Sequence, residues 1–307
     1  MVSLKIKIGD LKLNNPVMNA SGTFGWAEEF KDFLELKRLG ALITKTITLK
    51  PHRGNPPPRT CETPAGMLNC IGLENPGIDN FIKEKLPLLK KIGIPIVVSI
   101  GYLEAPEELI LLARHLNSLK EVSALELNIS CPNIKTKAPH QRLVSQDPVL
   151  TYKIIKRLRR VTHKPLITKL SPNVTDITEI AQAAKRAGTD AVALINTLTG
   201  MSIDIKNRRP RLSLITAGLS GPAIRPIAIR MVWQVYQKVK IPIIGMGGII
   251  DMPSAIEFFL AGATAIAIGT ANFINPGVIS EIIEGIRGYL KENKMKDIKE
   301  LIGALQG

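Results

Sequence analysis

Eight short apolar runs, each ending abruptly in polar residues or glycine, constrain what this chain of 307 residues can become. They fall at 16–20, 41–44, 94–100, 124–129, 166–170, 191–195, 241–246 and 263–268. Each has the length and near-continuous apolar character of a strand buried on both faces. Segments with helical periodicity lie between most of them, at 106–119, 148–161, 176–187, 222–239 and 253–260, and several open with proline in the first turn. Alternating β and α predicts a parallel sheet covered by helices, and eight such units predict closure into a (β/α)8 TIM barrel of the α/β class. The stretch 49–76, rich in Pro, Gly and Asn, breaks the alternation and is expected to form an inserted lid or short hairpin. No linker, charge block or low-complexity tract divides the sequence, so residues 1–307 read as one domain.

Composition excludes several classes of function. The N-terminus carries no basic-then-apolar signal pattern and no apolar run reaches membrane-spanning length, so a cytoplasmic location without membrane contact is expected. Three cysteines (Cys61, Cys70, Cys131) without CxxC spacing argue against a disulfide framework, a zinc site or a cysteine-ligated cluster in this chain. The four histidines do not pair at metal or triad spacing and GxSxG is absent, which leaves metalloenzyme and hydrolase readings without support. A net charge of +15 raises the question of nucleic acid. The basic residues are scattered among acids, however, and the densest cluster, Lys153 to Arg160, has the spacing of a solvated helix face. With 4% aromatic residues there are few platforms on which bases could stack, and no nucleic-acid partner is expected.

The strand ends carry the functional signal. In order they are Ser21-Gly22, Lys45-Thr46, Ser99, Asn128 through Cys131, Lys169, Asn196-Thr197, Gly247-Gly248 and Gly269-Thr270. Any one of these has an ordinary explanation, since glycine pairs make turns and Ser or Thr caps helices. In a barrel all eight converge on the face where such folds place chemistry. Gly247-Gly248 and Gly269-Thr270 follow the seventh and eighth runs, the place where barrels bind phosphate through backbone N–H groups. With neither GxGxxG nor a Walker loop present, the implied ligand bears phosphate without being a Rossmann dinucleotide or ATP.

Within Asn128-Ile129-Ser130-Cys131-Pro132-Asn133 an apolar run stops at a cysteine bracketed by asparagines, and Pro132 cannot continue a ladder. A lone cysteine is commonly a small buried hydrophobe. Asparagines are poor strand formers and costly to bury unpaired, so two of them beside Cys131 point instead to amides aimed at a ligand.

Taken as ordered blocks, these residues resemble the dihydroorotate dehydrogenases, in particular the class 1B catalytic subunits. The resemblance runs from Asn15-Pro16 to about Pro276. It is carried by Ala20-Ser21-Gly22-Thr23-Phe24-Gly25, by the block from Gly66 to Gly77, by Asn128 through Asn133 and by Lys169-Leu170-Ser171-Pro172-Asn173. Ile195-Asn196-Thr197-Leu198, Gly218-Leu219-Ser220-Gly221-Pro222-Ala223 and Ile243-Ile244-Gly245-Met246-Gly247-Gly248 complete it. The chain shows neither the membrane-associating N-terminal extension nor the serine base of class 2 enzymes.

The resemblance implies oxidation of dihydroorotate to orotate in pyrimidine biosynthesis, with FMN over the mouth of the barrel. The FMN phosphate would lie at Gly247, Gly248, Gly269 and Thr270 with Gly221 nearby, and Ser21, Lys45, Thr46, Ser99, Asn128, Lys169 and Ile195 would contact the remainder. A lysine beside the pyrimidine edge stabilises the negative charge of the reduced cofactor, a physical reason for Lys169. Asn69, Asn128, Asn133 and Asn196, with Thr197, would read the ring edge of orotate, because an amide both donates and accepts. Lys45 and the backbone along Cys70-Ile71-Gly72-Leu73 would receive the carboxylate, while the thiols of Cys61 and Cys70 are assigned to structure. Asparagine as a turn former is the competing explanation for Asn69 and Asn133. Cys131 would take the C5 proton as general base while the flavin N5 receives the C6 hydride; a thiol with a reference pKa of about 8.5 needs only modest tuning for this.

The same resemblance implies a homodimer core carrying an iron–sulfur flavoprotein subunit with FAD and a [2Fe–2S] cluster, a heterotetramer that passes electrons to NAD. The fumarate-using class 1A enzymes share the dihydroorotate chemistry and stand as the alternative. A further alternative, the FMN-dependent tRNA dihydrouridine synthases, would require an appended helical RNA-binding domain, and none is evident after Ile282. The chain departs from the family in three places. Its segment 134–147 is basic (Lys135, Lys137, His140, Arg142) where relatives more often have glycine-rich loops, Ser99 stands where asparagine is common, and Ala217 replaces a frequent glycine.

Overall fold

The eight apolar runs form one parallel sheet in the computed structural model, which describes residues 2–131 and 143–306. The strands are β1 (Val17–Asn19), β2 (Leu42–Ile43), β3 (Ile96–Ile100), β4 (Val122–Asn128), β5 (Leu166–Lys169), β6 (Ala191–Leu194), β7 (Ile243–Gly245) and β8 (Ala265–Ile268). They are hydrogen-bonded in the order β1, β8, β7, β6, β5, β4, β3, β2. A parallel bridge between Met18 and Ala41 joins the two ends of that series, so the sheet is a closed barrel. At this seam the Asn19 carboxamide takes the place of a peptide group: its Oδ1 accepts from Ile43 N–H (2.9 Å) and its Nδ2 donates to the Ile43 carbonyl (2.7 Å).

The runs become strands because they can be buried on both faces. Every residue of β3, β5, β6 and β8 is buried, between the barrel lumen and an outer layer of helices. Each fully buried Ile, Leu or Val contributes roughly 1.5–3 kcal/mol relative to exposure. The principal helices are Glu108–Asn117, Pro148–Arg159, Ile177–Ala187, Arg225–Val239, Met252–Leu260 and Val278–Glu292. Several starts are set by side chains: Asp147, Asp176 and Asp251 each accept from backbone N–H groups of the first turn. Among the described residues, no helix is long and apolar enough to cross a membrane.

Two additions distinguish the barrel's ends. At the N-terminal end, the strands Ile6–Ile8 and Leu11–Leu13 form an antiparallel hairpin whose alternate residues are buried. Its turn at Gly9 lies against Asp190, the residue just before β6. At the C-terminal end, the segment that breaks the alternation supplies the hairpin Thr60–Thr63/Gly66–Asn69. That hairpin is half of a larger element. Ala217–Ser220 pairs antiparallel with Gly66–Asn69, and Leu198–Gly200 pairs with Ala217–Ser220, giving a four-stranded sheet from two distant insertions. Gly66 allows their contact, because a Cβ there would stand 2.0 Å from the Ser220 carbonyl oxygen.

Candidate active site

Polar residues at the C-terminal strand ends form the floor of one cavity, and the four-stranded sheet with its connections forms the roof. Every barrel strand except β3 ends in, or is followed by, residues that line it. The floor is tied together by side chains from separate strand ends. Thr46 Oγ1 lies 3.2 Å from Ser21 Oγ and 3.0 Å from Ser99 Oγ, and accepts from Asn128 Nδ2 at 3.0 Å. Ser130 Oγ donates to Asn128 Oδ1 (3.4 Å) and accepts from Asn196 Nδ2 (2.9 Å). Because short strands end here at different depths, this network fixes the side chains that the cavity presents.

The cavity's charge is unbalanced. Lys45 and Lys169 line it together with one acid, Glu74, and Arg59 Nη1 already meets Glu74 at 2.6 Å. Lys169, on β5, is only 5% exposed, and among the described residues it has no hydrogen-bond or ion-pair partner. A buried ammonium with no ion-pair contact is disfavoured, so such a site is matched to an anionic or electron-rich ligand.

Gly247 and Gly248, after β7, have φ of 120° and 81°. A Cβ on Gly248 would lie 2.7 Å from Arg225 Cβ and 2.9 Å from the Gly221 carbonyl oxygen, so only glycine keeps this wall as bare backbone. Across from it stand Gly269 and Thr270, whose Oγ1 donates to Ser220 Oγ at 2.8 Å. On the roof, Thr60, Met67 and Asn69 face the cavity, followed by Ile71 through Glu74. Leu73 has φ of 58°, a conformation that costs a side-chain-bearing residue on the order of 1–3 kcal/mol. Buried asparagines hold it: Asn75 Nδ2 donates to the Leu73 carbonyl (2.8 Å), and Asn55 Nδ2 donates to the Cys70 carbonyl (2.9 Å).

Cys131 lines the cavity just beyond β4 and is 8% exposed. Tyr102 lies in its electrostatic neighbourhood. Burial pushes the Tyr102 phenol above its ordinary pKa, a hydrogen bond with the Val144 backbone works against that, and the Cys131 and Glu108 charges add to the rise. The Tyr102 phenol is therefore neutral near pH 7.

Most residues singled out from sequence converge here: Ser21, Lys45, Thr46, Asn69, Ile71, Gly72, Leu73, Asn128 and Cys131 from the first half of the chain, and Lys169, Ile195, Asn196, Thr197, Gly221, Gly247, Gly248, Gly269 and Thr270 from the second. Two expectations need correcting. Ser99 is fully buried one level beneath the surface of the floor and supports Thr46 instead of reaching the cavity. Cys70, whose backbone was expected to help receive the carboxylate, has both backbone groups engaged within the roof: its N–H donates to the Arg59 carbonyl (2.8 Å) and its carbonyl accepts from Asn55 Nδ2 (2.9 Å), while the thiol is buried with Leu68, Leu212 and Ala217. Asn133 and the basic residues Lys135, Lys137, His140 and Arg142 lie outside the described residues. Sequence reasoning missed Ser130, Asn55 and Asn75. Ser130 and Asn75 sit inside otherwise recognisable blocks and Asn55 in the Pro- and Gly-rich stretch before one, and their value lies in the backbone and side chains they hold.

A family model of dihydroorotate dehydrogenase matches residues 3–290. The chain belongs to the dihydroorotate dehydrogenase family. It is 54% identical over 302 residues to the dihydroorotate dehydrogenase B (NAD(+)) catalytic subunit of Geotalea uraniireducens, with 98% of each chain covered. It is 52% identical over 306 residues to the protein of the same name from Trichlorobacter lovleyi, and 50% identical over 304 residues to that of Caldicellulosiruptor bescii, with 99% of each chain covered in both cases. Dihydroorotate dehydrogenases are flavin-dependent, and the residues present here fit FMN. The glycine wall would admit a phosphate, and the unpartnered Lys169 would meet the electron-rich edge of the ring system.

Proposed function

We propose that this chain oxidises dihydroorotate to orotate in pyrimidine biosynthesis, using FMN and a partner subunit that passes the electrons to NAD. The observation that carries the reading is the convergence in one cavity of Cys131, the amides of Asn69, Asn128 and Asn196, and two lysines without carboxylate partners. Asn69, Asn128, Asn196 and Thr197 offer the alternating donors and acceptors that a planar ring of N–H and C=O groups requires. Lys45 and the backbone at Ile71, Gly72 and Leu73 receive the substrate carboxylate. Ser21, Thr46, Asn128, Lys169 and Ile195 would hold the flavin ring, and Gly221, Gly247, Gly248, Gly269 and Thr270 its phosphate. When bound, FMN supplies at N5 the acceptor for the C6 hydride. Cys131 takes the C5 proton, and its place in a covered pocket keeps that transfer away from bulk water.

The names of the relatives, catalytic subunits of an NAD(+) enzyme, support a second protein in the electron path. We assign it as an iron–sulfur flavoprotein carrying FAD and a [2Fe–2S] cluster, docked on a homodimer of this chain in the cytoplasm. The test is anaerobic: the purified protein is expected to be yellow and to lose its flavin absorbance when dihydroorotate is added. An unchanged spectrum with dihydroorotate, together with a response to dihydrouridine-containing RNA, overturns the reading. Alone, the chain is expected to reduce artificial acceptors and to reduce NAD poorly, and co-expression with the partner is expected to restore NAD reduction. Efficient fumarate reduction without a partner would assign the acceptor differently and leave the dihydroorotate chemistry standing.

A further inference from the structure

Glu126 is a buried carboxyl group that the reading above does not use. It lies on β4 two residues before Asn128, so the alternation of side chains puts both on the lumen face. The register sets Glu126 beside Ser99 of β3 and Ile167 of β5, and sets Asn128 beside Lys169. Lys169, two residues beyond Ile167, is thus the diagonal neighbour of Glu126 on the adjacent strand, one lumen layer above it. No direct ion pair joins the two side chains, so any coupling between them acts through the lumen. Glu126 is 0% exposed, and neither of its carboxyl oxygens has a hydrogen-bond partner among the described residues. Ser99, its neighbour in the layer, shares a hydrogen bond between its hydroxyl and that of Thr46 (3.0 Å).

A carboxyl group and an amino group, each buried and without a partner among the described residues, therefore share the barrel lumen. Burial of either charge is tolerable only if the other offsets it. We infer that Glu126 is a positioning residue, a counter-charge one lumen layer below the Lys169 ammonium that acts without direct contact and offsets part of its pull on the reduced cofactor. This rests on the FMN reading of the site. It assigns Glu126 an effect on the cofactor's potential that a purely structural residue would not have, and it routes that effect through Lys169.

The test is an anaerobic equilibrium of the FMN-loaded protein with a reference dye. Replacing Glu126 by Gln removes the negative charge at nearly constant shape, and the reduced form is expected to gain at least about tenfold, a positive shift of about 30 mV for a two-electron couple. Glu126→Leu, similar in volume and without charge, is expected to shift the same way and serves if the amide variant does not fold. Glu126→Asp keeps the charge and is expected to stay within about twofold of the parent. In a Lys169→Met background the Glu126→Gln shift is expected to vanish. An unchanged or negative shift for Glu126→Gln or Glu126→Leu overturns the inference, as does a full shift that persists without Lys169. If the parent protein takes up no FMN, the functional reading fails. If it binds FMN and is reduced by dihydroorotate while Glu126 moves nothing, only this inference fails.

Discussion

At the N-terminal end of the barrel, charged side chains have partners. Arg159 Nη1 meets Asp190 Oδ2 at 3.0 Å, Asp190 also accepts from Leu166 N–H at 2.8 Å, and Lys164 Nζ donates to the Leu119 and Val122 carbonyls. At the C-terminal mouth, Lys45 and Lys169 face the cavity with no carboxylate in ion-pair contact among the described residues, and bare glycine backbone forms a wall. The same strands end in both regions. What differs is where their polar groups are satisfied: by the protein itself at one end, by a ligand at the other. Substitutions at the two ends should therefore separate folding from chemistry.

The largest effect belongs to the mouth. Cys131→Ala is expected to retain FMN and an unchanged melting temperature while flavin reduction by dihydroorotate slows at least about a hundredfold, the lower range for loss of a general base. Stopped-flow absorbance measures this, and a near-native rate at neutral pH would remove Cys131 from the chemistry. Cys131→Ser is expected to keep weak activity that rises with pH. At the opposite end, Asp190→Ala removes the acceptor of both Arg159 and the Leu166 amide. A loss of about 1–3 kcal/mol in urea denaturation is expected, with the rate of flavin reduction maintained. If that rate falls in proportion to stability, the two ends are not independent.

The smallest effect lies on the outer helices. Hydrogen bonds from the Thr178 side chain and backbone hold the Asp176 carboxyl below its ordinary pKa, with Lys238 adding to the shift. A depressed pKa stabilises the fold above the unfolded-state value, and that contribution is lost as pH falls through the folded-state value. Asp176→Ala is expected to cost about 1 kcal/mol near neutrality, the usual value of an N-cap. The difference between the two proteins should close in acid, and a difference that persists below both pKa values would show that the carboxyl's ionisation is not its source.

The barrel and most of its mouth were legible in the sequence because burial on both faces leaves strands as uninterrupted apolar runs, and a run ends where the cavity begins. The roof was half legible. Its first hairpin shows as a Pro- and Gly-rich break, but Leu198–Gly200 and Ala217–Ser220 are short, contain glycine and pair with residues far away in the chain. Ser99 failed on depth, and Cys70 because its backbone groups are already paired within the roof. Adjacency in sequence places a residue near the site, while depth and existing hydrogen bonds decide whether it serves the cavity. The roles of Asn55 and Asn75 were hidden because they act on the backbone of other residues.

The join between β1 and β2 gives the barrel a fastening unlike its other contacts. Its ladder is a single bridge, and the next rung is the carboxamide of Asn19 clasping Ile43. Ser21 and Lys45 lie two residues beyond the two halves of that clasp. The rotamer of one side chain thus sets the gap between two groups that serve the ligand, and the cylinder has a latch where its other staves are riveted by peptide groups. Exchange of the Ile43 amide with solvent would report that latch opening, separately from unfolding of the barrel as a whole.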